Sequence, residues 1–194
     1  AGLFFQGIQS LPPGTTLSQT HTGGVGGHGA IRILDDSATP ASRSGVNIAM
    51  TSSNTSNGLS LFVGNNGNGN GGNGAGGTTG STIELGNLNF TQSVAGNTSQ
   101  TLNLTGANSY RLQINHVNLP GLAASATTWN GILNPTTAPL TVAGNIRQAA
   151  GNAAGVITLT LDGTASGNLV SGNITDSFDA APKPLKLTKA NSST

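Results

Sequence analysis

Cysteine is missing from all 194 residues, which excludes a disulfide framework and a thiolate metal site. Charge is nearly as scarce: seven Lys and Arg face six Asp and Glu, 7% of the chain against about a quarter in ordinary globular domains. The net charge of +1 is scattered without a basic run, so neither nucleic acid nor an anionic membrane surface is an expected partner. Aromatic residues make up 4%, too few for a thick aromatic core. Long apolar runs are lacking as well. None approaches the ~20 residues of a membrane helix, and Ala1 does not open a charged segment leading into an apolar one, so no membrane insertion is expected in this segment. Helix signals are equally sparse: no apolar stripe at i, i+3, i+4 is sustained, Glu occurs once, and glycine interrupts every long window.

What fills the chain instead is 30 Gly, 25 Thr, 22 Asn and 19 Ser, with Leu, Ile, Val and Ala as the apolar complement. The length suits one domain. Strand patterns recur. VITLTLD, residues 156 to 162, places Ile157, Leu159 and Leu161 on one face and Thr158 and Thr160 on the other. The same alternation gives Ile83 and Leu85, Leu102 and Leu104, Tyr110 to His116, and Leu140 and Val142. Leu85 to Leu104 and Leu140 to Leu159 each span 19 residues, a spacing in the range of one solenoid coil. Thin aliphatic interiors and Asn or Thr ladders suit stacked coils. The expected fold is therefore all-β, a parallel β-helix or β-solenoid, with a β-sandwich completed by a donated strand as the alternative.

Two regions stand apart. Residues 1–30 open with AGLFFQGIQSLPPG and read as an apolar N-terminal segment, a cap or an inter-subunit arm, with Leu3, Phe4, Phe5 and Ile8 as self-association residues. Residues 31–194 read as the solenoid module, with a loop excursion near 120–139 anchored by Trp129, the only tryptophan.

Candidate chemistry is thin. GNNGNGNGGNGAGG, residues 64 to 77, contains Gly67-x-Gly69-x-x-Gly72, but a strand-like segment follows where a dinucleotide site needs a helix. Calcium-binding glycine repeats need an aspartate in each unit, and this stretch has no carboxylate. It reads as a long Gly-Asn turn between coils. His21 and His28 bracket GGVGG, with Asp35 and Asp36 nearby, and two histidines across flexible residues fix no metal geometry. His116 reads as a half-buried polar side chain on a strand. Asp35 and Asp36 are adjacent and would face opposite ways in an extended segment, while Asp162 precedes Gly163 as a turn residue, so no catalytic pair is assembled. No catalytic residue, cofactor or metal is expected. Tyr110 and Trp129 are the candidate stacking platforms for a glycan, which makes polysaccharide a second partner class besides the chain itself.

The C-terminal third brings a resemblance. Ser171, Gly172, Ile174 and Asp176, followed by Leu185, Leu187, Thr188 and Lys189, resemble the turn-and-strand unit of the autotransporter-associated β-strand repeat family. LNLTGANSYRLQI, Leu102 to Ile114, resembles another element of that unit, and the likeness extends over roughly residues 82–190. The resemblance implies a parallel β-helix, an extracellular or cell-surface place and no catalytic residues. Where that family would run on into a further strand the sequence stops at Thr194, so it reads as one module of a longer chain or as a subunit continued by another copy. The expected function is a structural repeat module or subunit of a bacterial extracellular or cell-surface fibre, not an enzyme. A glycan-binding adhesin and a donor-strand, pilin-like filament subunit are the alternatives. Lys183, Lys186 and Lys189 are candidates to guard an exposed strand edge.

Overall fold

A computed structural model describes residues 2–6, 11–21, 28–36, 41–52, 56–65, 79–92, 98–122, 128–149, 155–175 and 184–191. Their strands form three parallel sheets that the chain visits in rotation. Face 1 takes β1 (Gly2–Gln6), β3 (His28–Leu34), β6 (Ser56–Gly64), β9 (Thr98–Gly106), β12 (Thr128–Pro135), β15 (Val156–Leu161) and β18 (Leu185–Lys189). Face 2 takes β4 (Ala41–Arg43), β7 (Thr82–Leu85), β10 (Arg111–Ile114), β13 (Leu140–Val142) and β16 (Leu169–Val170). Face 3 takes β2 (Thr16–His21), β5 (Asn47–Ser52), β8 (Leu88–Gln92), β11 (Val117–Leu119), β14 (Ile146–Gln148) and β17 (Ile174–Thr175). The fold is an all-β solenoid. Every pairing described is parallel, which leaves no room for the antiparallel sandwich considered above.

Alternation builds the interior. In β9 every second residue is buried, and paired strands align those residues into columns that run along the solenoid. Leu59, Leu102, Leu133 and Leu161 form one on face 1. Leu17, Ile48, Leu88, Val117, Ile146 and Ile174 form one on face 3. Covering such a side chain contributes about 1.5–3 kcal/mol, and the column makes each coil depend on the next for that cover.

The coil repeat is longer than the sequence spacing suggested. Leu112 pairs with Leu140, 28 residues on, and Val117 with Ile146, 29 on. The 19-residue interval leads from face 2 to face 1 within one coil: Leu85 lies in β7 and Leu104 in β9, Leu140 in β13 and Leu159 in β15. It recurs because coils have like geometry, not because it is their length. One coil is about a dozen residues longer, since Ser56 pairs with Ser99, 43 residues on. The excess lies between β6 and β7. Of the glycine-asparagine stretch, Gly64 ends β6 and Asn65 is buried, and residues 66–77 fall outside the described residues.

Two boundaries expected from the sequence are not where it suggested. β1 pairs with β3 as the terminal strand of face 1, so the N-terminal segment belongs to the solenoid, and residue 30 falls inside β3. The region 120–139 holds β12, a full member of face 1, with residues 123–127 outside the described residues. Trp129 points inward from that strand, edge-on to Phe90 at 5.2 Å between ring centroids. Its Nε1 donates to Gln100 Oε1 at 2.8 Å, and Gln100 Nε2 donates to the Met50 carbonyl at 2.9 Å. The indole overlies Gly131, where a Cβ would come within 2.2 Å of the ring, so only glycine leaves room. A lone Trp in a Gly-rich, Ala-rich sequence looked like a loop anchor because its glycine partner is a packing device rather than a breaker.

Candidate functional site at the ends of the solenoid

The corner between faces 2 and 3 carries a ladder. Asn47 Oδ1 accepts the backbone N–H of Asn87 at 2.8 Å, His116 Nδ1 accepts that of Asn145 at 2.8 Å, and Asn145 Oδ1 accepts that of Asn173 at 3.0 Å. Each residue immediately precedes the first inward aliphatic of its face 3 strand. A side chain of one coil thus binds the turn of the next, satisfying amides that a tight turn leaves without a partner. A second ladder runs on the outer side of face 3, where Asn118 Nδ2 donates to Asn89 Oδ1 at 2.6 Å and Arg147 Nε donates to Asn118 Oδ1 at 2.7 Å. Threonines form a third at the end of face 1, with Thr136 Oγ1 donating to the Leu104 carbonyl and Thr164 Oγ1 to that of Thr136, both at 3.2 Å.

Residues proposed for sugar contact lie elsewhere. Tyr110 and Trp129 are both fully buried. The Tyr110 hydroxyl donates to the Asp35 carbonyl at 2.5 Å, 75 residues away, so the phenol bridges past the intervening coil. Neither ring offers a face to a ligand, because both lie in the interior of the coil. His116 is half-buried and serves the turn ladder. Asp35 is buried with its backbone N–H on the Gly64 carbonyl, and Asp36 beside it is exposed. Asp162 accepts from Asn191 Nδ2. His21 ends β2 and His28 opens β3, on different faces, and residues 22–27 between them lie outside the described residues. Among the described residues no group of three His, Asp or Glu could hold a metal ion, and no helix is long and apolar enough to cross a membrane.

The two ends of the stack are unlike. Towards the N-terminus, the face 2 column of Leu85, Ile114 and Val142 begins with Arg43, whose Nη1 donates to the Ser42 carbonyl at 3.1 Å. Gln19, buried, pairs with Met50 on face 3. Leu3, Phe4 and Phe5 lie in β1 at the register positions of Ile31, Arg32 and Ile33, and Ile8 is outside the described residues. Towards the C-terminus, β16, β17 and β18 each pair on one side only among the described residues. Columns that are fully buried upstream surface there: Ile174 is 38% exposed and Leu187 47%, while Leu169, on the outer side, is 54% exposed. A cavity of about 180 Å³ opens between faces 1 and 2, lined by Leu133, Pro135, Leu140, Val142, Leu161 and Val170 among others. Lys186 and Lys189 are exposed on β18, with Lys189 Nζ on the Ala190 and Asn191 carbonyls, and Lys183 is outside the described residues.

The sequence carried a signal for the ladder that strand alternation hides. Gly86-Asn87-Leu88, Gly144-Asn145-Ile146 and Gly172-Asn173-Ile174 repeat at one or two coil lengths. Comparison with family models, with curated proteins and with solved structures finds no match. The likeness to autotransporter-associated repeats therefore stands on the quoted motifs alone.

Proposed function

We propose that this chain is a structural β-solenoid module of a bacterial extracellular or cell-surface fibre, and that it associates end to end. The observation that carries this reading is the C-terminal end. Ile174 and Leu187 occupy columns whose other members are buried, and three neighbouring edges there lack a strand on one side among the described residues. An apolar end with open parallel edges is a template for another coil, of a second copy or of the same chain where it runs on. Side chains elsewhere are spent on ladders that hold coil to coil, which is the chemistry of a cohesive rod. The charge-poor, cysteine-free composition and the family resemblance support an extracellular or cell-surface place.

Sedimentation velocity combined with negative-stain electron microscopy tests the reading. Expected are elongated multimers whose mean length grows with protein concentration. Isolated particles of one coil-stack length at every concentration would overturn end-to-end association. The adhesin alternative loses the two rings on which it rested, and the pilin-like alternative loses its sandwich.

A further inference from the structure

The corner between faces 1 and 2 is bridged where its connection is longest. Residues 107–110, the connection from β9 to β10, bond to the chain on both sides of the connection 65–81 from β6 to β7. The Ala107 N–H donates to the Val63 carbonyl at 3.2 Å, the Gly80 N–H to the Asn108 carbonyl at 2.8 Å and the Arg111 N–H to the Ser81 carbonyl at 3.1 Å. The Tyr110 hydroxyl reaches further, to the Asp35 carbonyl just beyond β3. That bond spans 75 residues and two coils, whereas the side-chain rungs named above span 28 to 50 residues and one coil.

The local backbone is shaped for this reach. Asn108 and Ser109 both have positive φ, +54° and +60°, and the Tyr110 N–H returns to the Ala107 carbonyl at 3.1 Å. This is the mirror-image tight turn, for which glycine is the usual second residue. A serine there holds a conformation that only its surroundings impose. The turn delivers Tyr110 to the interior, fully buried, while Arg111 beside it is exposed.

We infer that residues 107–110 are a clasp, which pins both ends of the long connection and, through Tyr110, ties the coil of β3 to the coil of β9. Repeats of a solenoid ordinarily hold only their neighbours, so a change in one coil reaches no further than the next interface. With the clasp, the coil of β3 separates from that of β6 only by also breaking a bond to the coil after it. The stack thus keeps its cohesion past the place where one corner takes seventeen residues, and this holds whether or not the chain associates end to end.

Tyr110 is the only tyrosine, so the test is read at one hydroxyl. Native-state hydrogen exchange is followed by NMR in the parent, in Tyr110→Phe, which keeps the ring and removes the bond, and in His116→Leu. The last is a control in the same coil, because the rung it loses faces β14 rather than β3. Tyr110→Phe is expected to speed exchange of the β3 amides about 3–10-fold, as the loss of one buried hydrogen bond should, and to leave β15 as in the parent. His116→Leu is expected to leave β3 unchanged. The inference fails if β3 exchange in Tyr110→Phe stays within about twofold of the parent's, if every strand speeds up by one common factor, or if His116→Leu matches its effect on β3. A second measurement needs no variant. In the parent, the Tyr110 hydroxyl proton should have a protection factor within about tenfold of those of the β3 amides, since one opening releases both. A hydroxyl protected far less than that would show the bond opening without the coil and overturn the clasp.

Discussion

The three corners of the coil are built to different tolerances. Between faces 2 and 3 the connection is two or three residues in every coil, from 44–46 at the first to 171–173 at the last. Between faces 1 and 2 it ranges from four residues, 107–110, to seventeen, 65–81. Side chains explain the contrast. At the short corner an Asn or His of one coil binds the backbone of the next, and the rung forms both between coils of equal length there and between coils that differ by one residue. The corner between faces 1 and 2 carries rungs as well, with Thr136 Oγ1 donating to the Leu104 carbonyl, Thr164 Oγ1 to that of Thr136 and the Leu140 N–H to Asn168 Oδ1, but only in coils whose connection is short, and the connection at 65–81 is far longer. The corner between faces 2 and 3 therefore varies least, and the large length changes fall at the other corners.

The sharpest way to break the short corner is steric. A Cβ on Gly144 would lie 2.5 Å from the His116 ring and 2.6 Å from the Asn115 carbonyl. Gly144→Val is expected to cost about 3 kcal/mol, by analogy with overpacked cores, and to lower the thermal midpoint by about 6–12 °C. A shift under 2 °C in calorimetry would mean that this turn yields as easily as the longer ones. Next comes the loss of a rung. Asn145→Ala deprives the exposed Asn173 N–H of its protein acceptor, and about 0.5–1 kcal/mol of stability should go with it, read as a lower urea midpoint at constant slope.

The long corner should respond in the opposite way. Removing residues 66–77 shortens the seventeen-residue connection to five, which changes the loop-closure entropy by about 1 kcal/mol in favour of folding. Stability equal to or slightly above the parent is expected. A loss above about 2 kcal/mol would show that the coil depends on the glycine-asparagine stretch as it does on the ladder.

Much of this was legible in the sequence. Alternation in VITLTLD and TLNLTG gave strands, and the scarcity of large side chains pointed to stacked coils. Period was harder to see. A three-faced coil repeats an apolar triplet on every face, so short intervals such as Leu85 to Leu104 compete with the true repeat. The Gly-Asn-aliphatic turn would have resolved it, but Val46 precedes Asn47 and Asn115-His116 replaces the pair in a middle coil, which blurs the pattern. The candidate sugar contacts failed for a related reason. Alternation assigns a residue to one of two faces, and in a prism one of those faces is the interior, where Tyr110 and Trp129 both lie.

His116 sharpens the comparison at its finest grain. Among the described residues it is the one side-chain acceptor of the turn ladder that is not an asparagine, yet its Nδ1 accepts the Asn145 N–H at the same 2.8 Å as Asn47 Oδ1 accepts that of Asn87. Nδ1 therefore carries no proton in this arrangement, and what the corner requires is an acceptor at that reach rather than a particular side chain. His116→Asn should restore the prevailing rung and move the urea midpoint by an amount worth less than about 0.5 kcal/mol. His116→Leu keeps the bulk, removes the acceptor and should cost about 1–2 kcal/mol, because the Asn145 N–H is left without a partner in a half-buried turn. If the two substitutions were equally costly, the imidazole would be acting through its packing on Gly144 and not through the ladder.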